Sequence, residues 1–282
     1  MKRRVFYSNN SVLSDFTVNM QNYHSGTNAF SFVADEDCFY IGARLPFNHL
    51  YFKLDGTNVN ANASAMTVSY WGGSAWKDAV EVIDETSTSG VSLAKSGFVT
   101  WVPDKSYGWI KEDTNYGGSS ITGLTTVEIY NLYWLKITFS ADLTADTALS
   151  WVGQKFSDDN DLGSEYSDLV RLSMLAAFET GKTTWEEQHV RAAGLIVKEL
   201  MANSTIIEKE QILEREDFKY ASVSKCAEII YGGLGDDYKD DKKLAKDEYA
   251  IRINSAMPKI DKDANARFDD YETPTQGRLV RI

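Results

Sequence analysis

The first half of the chain alternates apolar and polar residues in short runs, the pattern of a strand with one buried face. Gly, Asn, Asp and Ser separate the runs and are typical of turns. β-Branched and aromatic residues, which favour strands, dominate the runs themselves. Seven runs fit this pattern: 30–33, 38–43, 49–54, 65–71, 76–83, 97–102 and 132–140. Short strands at this spacing predict an antiparallel β-sandwich.

One stretch of this region, YWGGSAWKD at residues 70–78, has two interpretations. Gly72 and Gly73 allow the positive φ of a tight loop, which predicts a hairpin whose flanking Trp71 and Trp76 pair across it. A platform that stacks a sugar is the alternative. The candidate ligand-facing aromatics of that alternative are Trp71, Trp76, Trp101 and Trp109. Because aromatic residues favour strands wherever they occur, the hairpin is the preferred interpretation.

The second half changes to the helical period, with apolar residues three and four positions apart. Helices are predicted at 166–181, from Thr184 onward, at 214–235 and at 241–257. Gly181 is a natural left-handed stop for the first of them, and Pro258 halts the last. The Gly-rich sequence at 232–235 follows a helix and leads into two aspartates, so it is predicted to be a helix stop and not a phosphate loop.

The helix that opens at Thr184 has a recognisable start and a clear apolar face. Thr184 and Glu187 have the spacing of a capping box. The apolar face is formed by Trp185, His189, Ala192, Ala193, Ile196 and Leu200. A helix with one apolar face buries it against its neighbours, so the second half is predicted to be a small helical bundle.

Tryptophan usage marks the change between the halves, since six of the seven lie at or before Trp151. The acidic sequence SDDNDLGS follows at 157–164 and is typical of a linker. The final YETPTQGRLVRI has no period. We therefore predict an α+β chain of two domains, an antiparallel β-sandwich and then a small helical bundle with an extended C-terminal arm. The expected segments are the sandwich at 1–157, an acidic linker at 158–164, the helical domain at 165–260, and an acidic loop with the arm at 261–282.

The net charge and the two cysteines limit the classes of function and the cellular compartments that are expected for this chain. The chain carries 29 Lys and Arg against 41 Asp and Glu, a net charge of −12 that repels phosphate backbones. Nucleic-acid binding is therefore not expected. No run of about 18 apolar residues and no apolar signal core are present, so neither a membrane span nor secretion by a cleaved signal is expected. Cys38 and Cys226 are predicted to be free thiols in a reducing compartment.

No enzyme motif is present. The sequence contains no Gly-x-Ser-x-Gly, no His-Glu-x-x-His and no Gly-Lys-Ser/Thr loop. Only His24, His49 and His189 are available to a Ser-His-Asp site, and none has a neighbouring motif. Glu186 and His189 form half of a di-iron pattern, but the second half is missing, so His189 is predicted to lie on a helix surface. The chain is therefore expected to be no enzyme and to need no cofactor for catalysis.

The acidic sequence DKDANARFDDYE at 261–272 is the one candidate metal site. Its oxygen-bearing side chains fall at calcium-loop positions 1, 3, 5, 9 and 12. The candidate ligands are Asp261, Asp263, Asn265, Asp269 and Glu272. Position 6, which favours Gly for a sharp turn, is Ala266, and a left-handed non-Gly residue costs about 1 kcal/mol. A solvated acidic connector is therefore the preferred interpretation and Ca²⁺ the alternative.

The chain resembles known families in both halves. WEEQHVRAAGLIVKEL, DFKYASVSKCAEIIYGGLGDDYKDD, DEYAIRINSAM, DKDANARFDDYE and GRLVRI together resemble head–tail connector (neck adaptor) proteins of tailed bacteriophages. The strand-rich half, through SYWGGSAWKDAVEVIDETS, SLAKSGFVTWVP and LYWLKITFS, is similar to β-sandwich modules appended to phage neck and baseplate proteins. The two resemblances cover nearly the whole chain and rest on aromatics, glycines and helix spacing.

The resemblance implies a virion structural protein. Its subunits would form a ring, usually of twelve, beneath the portal, with a DNA channel through it, linking capsid to tail. The implied partners are other copies of the chain, the portal, a tail or stopper protein, and a fibre or whisker protein on the sandwich. The implied location is the virion neck, after synthesis in the host cytoplasm. A baseplate, tail or fibre-attachment protein and a carbohydrate-binding sandwich are the alternatives.

The resemblance also implies a role for the C-terminal arm, which would contact neighbouring subunits or the portal. The arm residues concerned are Thr273, Pro274, Gln276, Arg278, Leu279, Val280, Arg281 and Ile282. The arm is too short and aperiodic to pack alone, so it is expected to become ordered only in an assembly.

Overall fold

The computed structural model describes residues 3–24, 26–111, 121, 123–125, 131–256 and 258–269. The chain is α+β and divides into two compact units. The first unit is Met1–Gly153 with Asp263–Arg267, and the second is Gln154–Lys262 with Phe268–Ile282. Antiparallel sheets make up the first unit and helices the second.

Eleven strands are described, and all pair antiparallel in two sheets. They are β1 (Arg4–Asn9), β2 (Val12–Asp15), β3 (Asn28–Phe30), β4 (Cys38–Ala43), β5 (His49–Leu54), β6 (Met66–Trp71), β7 (Trp76–Asp78), β8 (Val80–Asp84), β9 (Gly97–Val102), β10 (Tyr133–Phe139) and β11 (Thr147–Gly153). The six-stranded sheet has the order β2-β1-β4-β10-β6-β7, and the five-stranded sheet has the order β3-β11-β5-β9-β8. A short helix, α1 (Thr17–Gln21), follows β2.

The inner faces of the two sheets pack through aromatic side chains. Phe30 on β3 meets Phe39 on β4 edge to face, with ring centroids 4.9 Å apart. The ring of Tyr7 on β1 lies 5.5 Å from that of Phe30. Next to them, Phe32 and Phe139 pack edge to face at 5.0 Å. The contacts of Phe30 with Phe39 and Tyr7 join opposite sheets, so the predicted sandwich-like arrangement of antiparallel strands is confirmed.

The outer face of the six-stranded sheet is also buried. Trp134, Tyr40 and Trp71 alternate with the inward-facing residues of their strands and form one apolar cluster with Ile121 and Leu124. Both of the latter are fully buried. A strand covered on both faces loses the alternation of polar and apolar residues, as β4 does with all six residues buried.

The hairpin at residues 70–78 is confirmed. Trp71 pairs with Trp76 across β6 and β7, and Gly73 in the loop has φ +90°. The predicted strand 76–83, however, is wrong as one element, because it divides between the two sheets at Ala79. Its second half, β8, contains Glu81 at φ 51° and an irregular register against β9. A bulge of this kind bends the chain away from its first sheet.

Other strand predictions succeed to different degrees. The runs 38–43, 49–54 and 97–102 are strands with the predicted bounds, whereas the run 30–33 is not one, because the strand β3 ends at Phe30. The strands β1, β2 and β11 were not among the predicted runs. β11 has all seven residues buried, including serine and threonine, so its sequence does not alternate in the expected way.

The second unit consists of helices. They are α2 (Asp159–Glu165), α3 (Leu172–Phe178), α4 (Glu186–Ala202), α5 (Glu216–Leu234) and α6 (Lys239–Ser255). Short 3-10 helices lie at Lys209–Gln211 and Asp236–Tyr238. α5 packs against both α4 and α6 and also contacts α2 and α3. It is therefore the central helix of this unit, and its buried residues are Phe218, Ala221, Ser222, Val223, Ser224, Cys226, Ala227 and Ile230.

The prediction of an acidic linker at 158–164 is wrong, because these residues belong to α2 and its cap. The Asp158 carboxylate accepts hydrogen bonds from the backbone N–H groups of Asn160 and Asp161. The Asp161 carboxylate in turn accepts a hydrogen bond from the Asp158 N–H. This is a capping box, which explains why acidic residues begin the helix. Leu162 is fully buried, so the helix packs into the unit.

The other helix predictions differ mainly in their bounds. The run 166–181 contains only the shorter helix α3, while 214–235 and 241–257 correspond to α5 and α6. Gly235, with φ 103°, ends α5 as predicted. The predicted apolar face of α4 is confirmed, since every one of its six residues is buried.

Candidate functional site

The tryptophans proposed as a sugar platform are mostly interior. Trp71 and Trp101 are 1% exposed and Trp109 is 7% exposed, so the prediction that they face a ligand is wrong for all three. Trp71 is covered by the cluster on the outer face of the six-stranded sheet, and Trp101 and Trp109 pack on Phe47. Only Trp76 is partly exposed, and its ring packs against Tyr40 at 5.5 Å.

The acidic sequence at 261–272 lies partly outside the described residues, which end at Asp269, so Glu272 is not described. Asp261 belongs to the second unit, where its N–H donates to the Gln211 carbonyl at 2.8 Å. Asp263 accepts a hydrogen bond at 3.0 Å from the Asn265 amide in the first unit. Ala266 has φ 58°, the left-handed conformation that the calcium-loop pattern assigns to Gly.

Metal ligation by Asp261, Asp263, Asn265, Asp269 and Glu272 stays a prediction. Within the described residues, no group of three or more His, Cys, Asp and Glu side chains could hold a metal ion. The arm residues Thr273 to Ile282 lie outside the described part of the chain, and their role also stays a prediction. None of the helices in the described ranges is long and apolar enough to cross a bilayer.

The second unit contains a buried polar cluster that the sequence did not indicate. It comprises Ser157, Asp159, His189 and Ser222, which come from the chain before α2 and from α2, α4 and α5. Ser157 Oγ lies 2.8 Å from His189 Nδ1 and 2.7 Å from Ser222 Oγ. His189 Nε2 lies 3.3 Å from Asp159 Oδ1. The prediction of His189 on a helix surface is therefore wrong, because its side chain is fully buried.

The partners of His189 indicate which of its two ring nitrogens carries the proton. A carboxylate only accepts, so the His189 Nε2–H faces Asp159, and the neutral Nδ1 accepts from the Ser157 hydroxyl. Burial lowers the pKa of His189, although its contact with Asp159 opposes this. Burial also acts to raise the pKa of Asp159, but contacts with His189, Thr184 and the Trp185 N–H outweigh it and lower that pKa. The folded state therefore favours a neutral imidazole beside a charged carboxylate.

The start of α4 is held by the same carboxylate. Asp159 accepts a hydrogen bond from the Trp185 N–H at 3.1 Å and from the Thr184 hydroxyl at 2.5 Å. The Thr184 hydroxyl oxygen in turn accepts from the Glu186 N–H at 3.2 Å. The helix α4 begins at Glu186 with Trp185 as its N-cap, so the prediction that Thr184 caps the helix is wrong by one residue. Asp159 on α2 instead binds the Thr184 hydroxyl and the Trp185 N–H at the start of the helix. Helix N-termini favour such an anionic partner.

A buried ion pair lies on the same side of α4. Lys155 Nζ is 3.2 Å from Glu186 Oε1, and the Lys155 side chain is 1% exposed. Burial lowers the pKa of Lys155, while the charge of Glu186 acts in the opposite direction. A buried charge of this kind is tolerated only when it is paired, so Glu186 and Lys155 depend on each other.

Serine, histidine and aspartate in this order have the connections of a nucleophile, its base and the group that orients the base. A nucleophile must contact its substrate, however, and Ser157 and His189 are both fully buried. Ser157 also bonds Ser222 on α5. In this conformation the cluster joins α2, α4 and α5 and has no access for a substrate.

A surface groove on the second unit is a further candidate. It has a volume of about 370 Å³ and is lined mainly by residues of α4 and α5, together with Phe178 of α3 and Lys242 of α6. Leu195 and Ile229 provide apolar walls, while the charged lining comprises Arg191, Lys225, Glu228 and Lys242. We call it the cationic groove. Sequence reasoning missed it because its residues come from four helices, and only the packing of those helices brings them together.

Comparison with known proteins gives no family for this chain. No protein-family model, no curated protein and no solved structure matches it.

Proposed function

We propose that the chain is a non-enzymatic structural protein of a tailed-bacteriophage particle. It would act as a head–tail adaptor that forms a ring, of about twelve copies by the resemblance, beneath the portal and links capsid to tail. The observation that supports this most is a set of large apolar side chains exposed on the helical unit. These are Leu172, Ile207, Leu244 and Ile251, which are 76%, 75%, 58% and 69% exposed.

Two of these side chains suggest a contact surface. Leu244 and Ile251 are seven residues apart on α6, a spacing that places them on the same side of the helix. The inward side of the same helix is occupied by Ala245, Tyr249 and Ile253. α6 therefore has apolar residues on a second side, as expected of a helix that contacts another subunit.

Charge supports a role around DNA without DNA binding. A channel that lets DNA pass must not hold it, and a chain of net charge −12 repels phosphates. The arm Thr273–Ile282 would join neighbouring subunits or reach the portal, and the sandwich would point outward and hold a fibre or whisker protein. A baseplate or tail location is the main alternative and rests on the same resemblance.

The carbohydrate-binding alternative is less favoured. A sugar platform requires exposed aromatic rings, and Trp71, Trp101 and Trp109 are buried. Trp76 alone offers too little surface, because its ring also packs against Trp71 at 5.4 Å. We therefore assign Trp71, Trp101 and Trp109 to the core of the first unit.

The test is negative-stain imaging of the purified chain, alone and mixed with the portal protein of the same phage. We expect an added ring of density under the portal. The double variant Leu244→Asp/Ile251→Asp should abolish the ring, whereas the control Val12→Asp, which alters an equally exposed apolar residue of the first unit, should leave it intact. Absence of any ring with the wild-type chain would contradict the adaptor function.

A further inference from the structure

The cationic groove is positively charged, whereas the chain as a whole is negatively charged. Lys225 is neutralised by Glu228, whose carboxylate lies 2.8 Å from its ammonium. Arg191 and Lys242, by contrast, form no ion pair with any residue in the described part of the chain. The groove therefore carries two uncompensated positive charges on a chain whose net charge is −12. Such a patch attracts anions that the rest of the surface repels.

The groove also has apolar walls. Leu195 on α4 and Ile229 on α5 are only partly buried, and Phe178 on α3 also lines the groove. An inorganic anion would make no use of these walls. A ligand that fits both features has carboxylates for the two cations and a large apolar side chain for the space between α4 and α5.

Gly232 keeps this space open. A Cβ atom at this position would lie 3.3 Å from Lys242 Nζ, which is tighter than most such contacts. Gly is costly inside a helix, by about 1 kcal/mol relative to Ala. α5 therefore presents no side chain to the groove at this position, and a large side chain such as leucine would occupy the space beside Lys242.

We propose that the cationic groove is a docking site for a short acidic segment of a partner protein, one that carries a bulky apolar side chain between its carboxylates. The carboxylates would pair with Arg191 and Lys242, and the apolar side chain would contact Leu195 and Ile229. A volume of about 370 Å³ accommodates a few residues of such a segment and no more. The docking site does not depend on the adaptor function, because it follows from the groove alone.

The experiment measures the fluorescence anisotropy of labelled peptides with the full chain. The probe is the peptide DEFLED, with neutral NQFLQN and unanchored DEGGED as matched peptides. We expect DEFLED to bind, and both matched peptides to bind at least tenfold more weakly. The affinity for DEFLED should also fall with added salt, because its charges are exposed.

Substitutions of residues that line the groove test whether DEFLED binds there. Arg191→Glu and Lys242→Glu should each weaken DEFLED binding about tenfold or more, and Gly232→Leu should weaken it by filling the space. Lys198→Glu is the matched control, since Lys198 is also exposed on α4 but does not line the groove. It should leave the affinity unchanged, and circular dichroism checks that each variant is folded.

Four results would overturn the proposal. They are no binding of DEFLED up to about 1 mM, equal binding of the neutral peptide, equal loss of affinity in Lys198→Glu, or tighter binding of a single-stranded DNA 12-mer than of DEFLED. The last result would make the groove a phosphate site. None of these results bears on ring formation, so a failure here is distinguishable from a failure of the adaptor function.

Discussion

Gly97 and Gly194 differ in what surrounds them, and this difference predicts opposite effects of the same substitution. A Cβ at Gly97 on β9 would lie 2.6 Å from the backbone of Glu85, whereas a Cβ at Gly194 on α4 would meet nothing within 4 Å. Gly97→Ala should lower the free energy of unfolding by about 1–3 kcal/mol, because the backbone must shift. Gly194→Ala should raise it by about 1 kcal/mol through helix propensity.

Urea denaturation measures both changes, and each glycine variant serves as the control for the other. A destabilised Gly194→Ala protein would mean that the added methyl group meets a neighbour, contrary to the open space around Gly194. Equal stability of the wild type and Gly97→Ala would mean that the strand is more adaptable than its packing suggests.

His189 should make the stability of the second unit depend on pH. Burial lowers its pKa in the folded state below the ordinary value of 6.5. As the pH falls below 6.5, the unfolded chain binds a proton that the folded chain does not. The free energy of unfolding should therefore decrease, by up to about 1.4 kcal/mol per pH unit. Its contribution is fully present above pH 6.5 and is lost in acid.

The measurement compares chemical denaturation at pH 7.5 and 5.5 for the wild type and His189→Asn. Asparagine can still accept a hydrogen bond from Ser157 but does not titrate. The variant should be less stable at both values and less sensitive to pH. An equal pH dependence in both proteins would show that other groups cause it.

At the scale of elements, one ion pair connects α4 to the chain that precedes α2. Glu186→Gln removes the charge opposite Lys155, whose side chain is 1% exposed. We expect the free energy of unfolding to fall by about 3 kcal/mol or more, because a buried ammonium loses the carboxylate that lies 3.2 Å from it. The double variant Lys155→Met/Glu186→Leu should recover most of this loss. If Glu186→Gln alone is neutral, the ammonium must have another anion or be neutral.

The sequence predicted those elements whose pattern is local. The apolar face of α4 follows from spacing alone, and β6 and β9 follow from their β-branched and aromatic residues, although both strands are largely buried on both sides. β11 could not be predicted in this way, because all seven of its residues are buried, and these include the polar residues Thr147 and Ser150. α2 could not be predicted from a local pattern either. Its acidic residues are explained by its own N-cap and by the N-terminus of α4.

The candidate sites were harder to predict than the elements. His189 lies on the predicted apolar face, yet its partner Ser157 is 32 residues away in sequence. Ser222, which bonds Ser157, is 65 residues from that serine. Nothing in a local pattern joins such residues. The one available signal was a histidine among apolar positions, because a buried imidazole usually has polar groups beside it.

At the scale of the whole molecule, the net charge of −12 opposes association between copies. Added salt shortens the reach of this repulsion, from about 10 Å at 0.1 M to about 3 Å at 1 M. Self-association through apolar side chains should therefore become stronger with salt, as sedimentation velocity can measure. Binding of DEFLED to the cationic groove should become weaker over the same range. If self-association and DEFLED binding change in the same direction with salt, charge does not control one of these two interactions.

The two free thiols give this molecule a pair of native reporters. Cys38 lies in the first unit and Cys226 in the second, at 7% and 0% exposure, and burial raises the pKa of both. A thiol reagent can reach each sulfur only when its own unit opens. The modification rate of each cysteine, followed by mass spectrometry of peptides, should thus record the opening of one unit without any added label. Docking of a partner on the helical unit would then appear as a slower reaction at Cys226 and an unchanged one at Cys38.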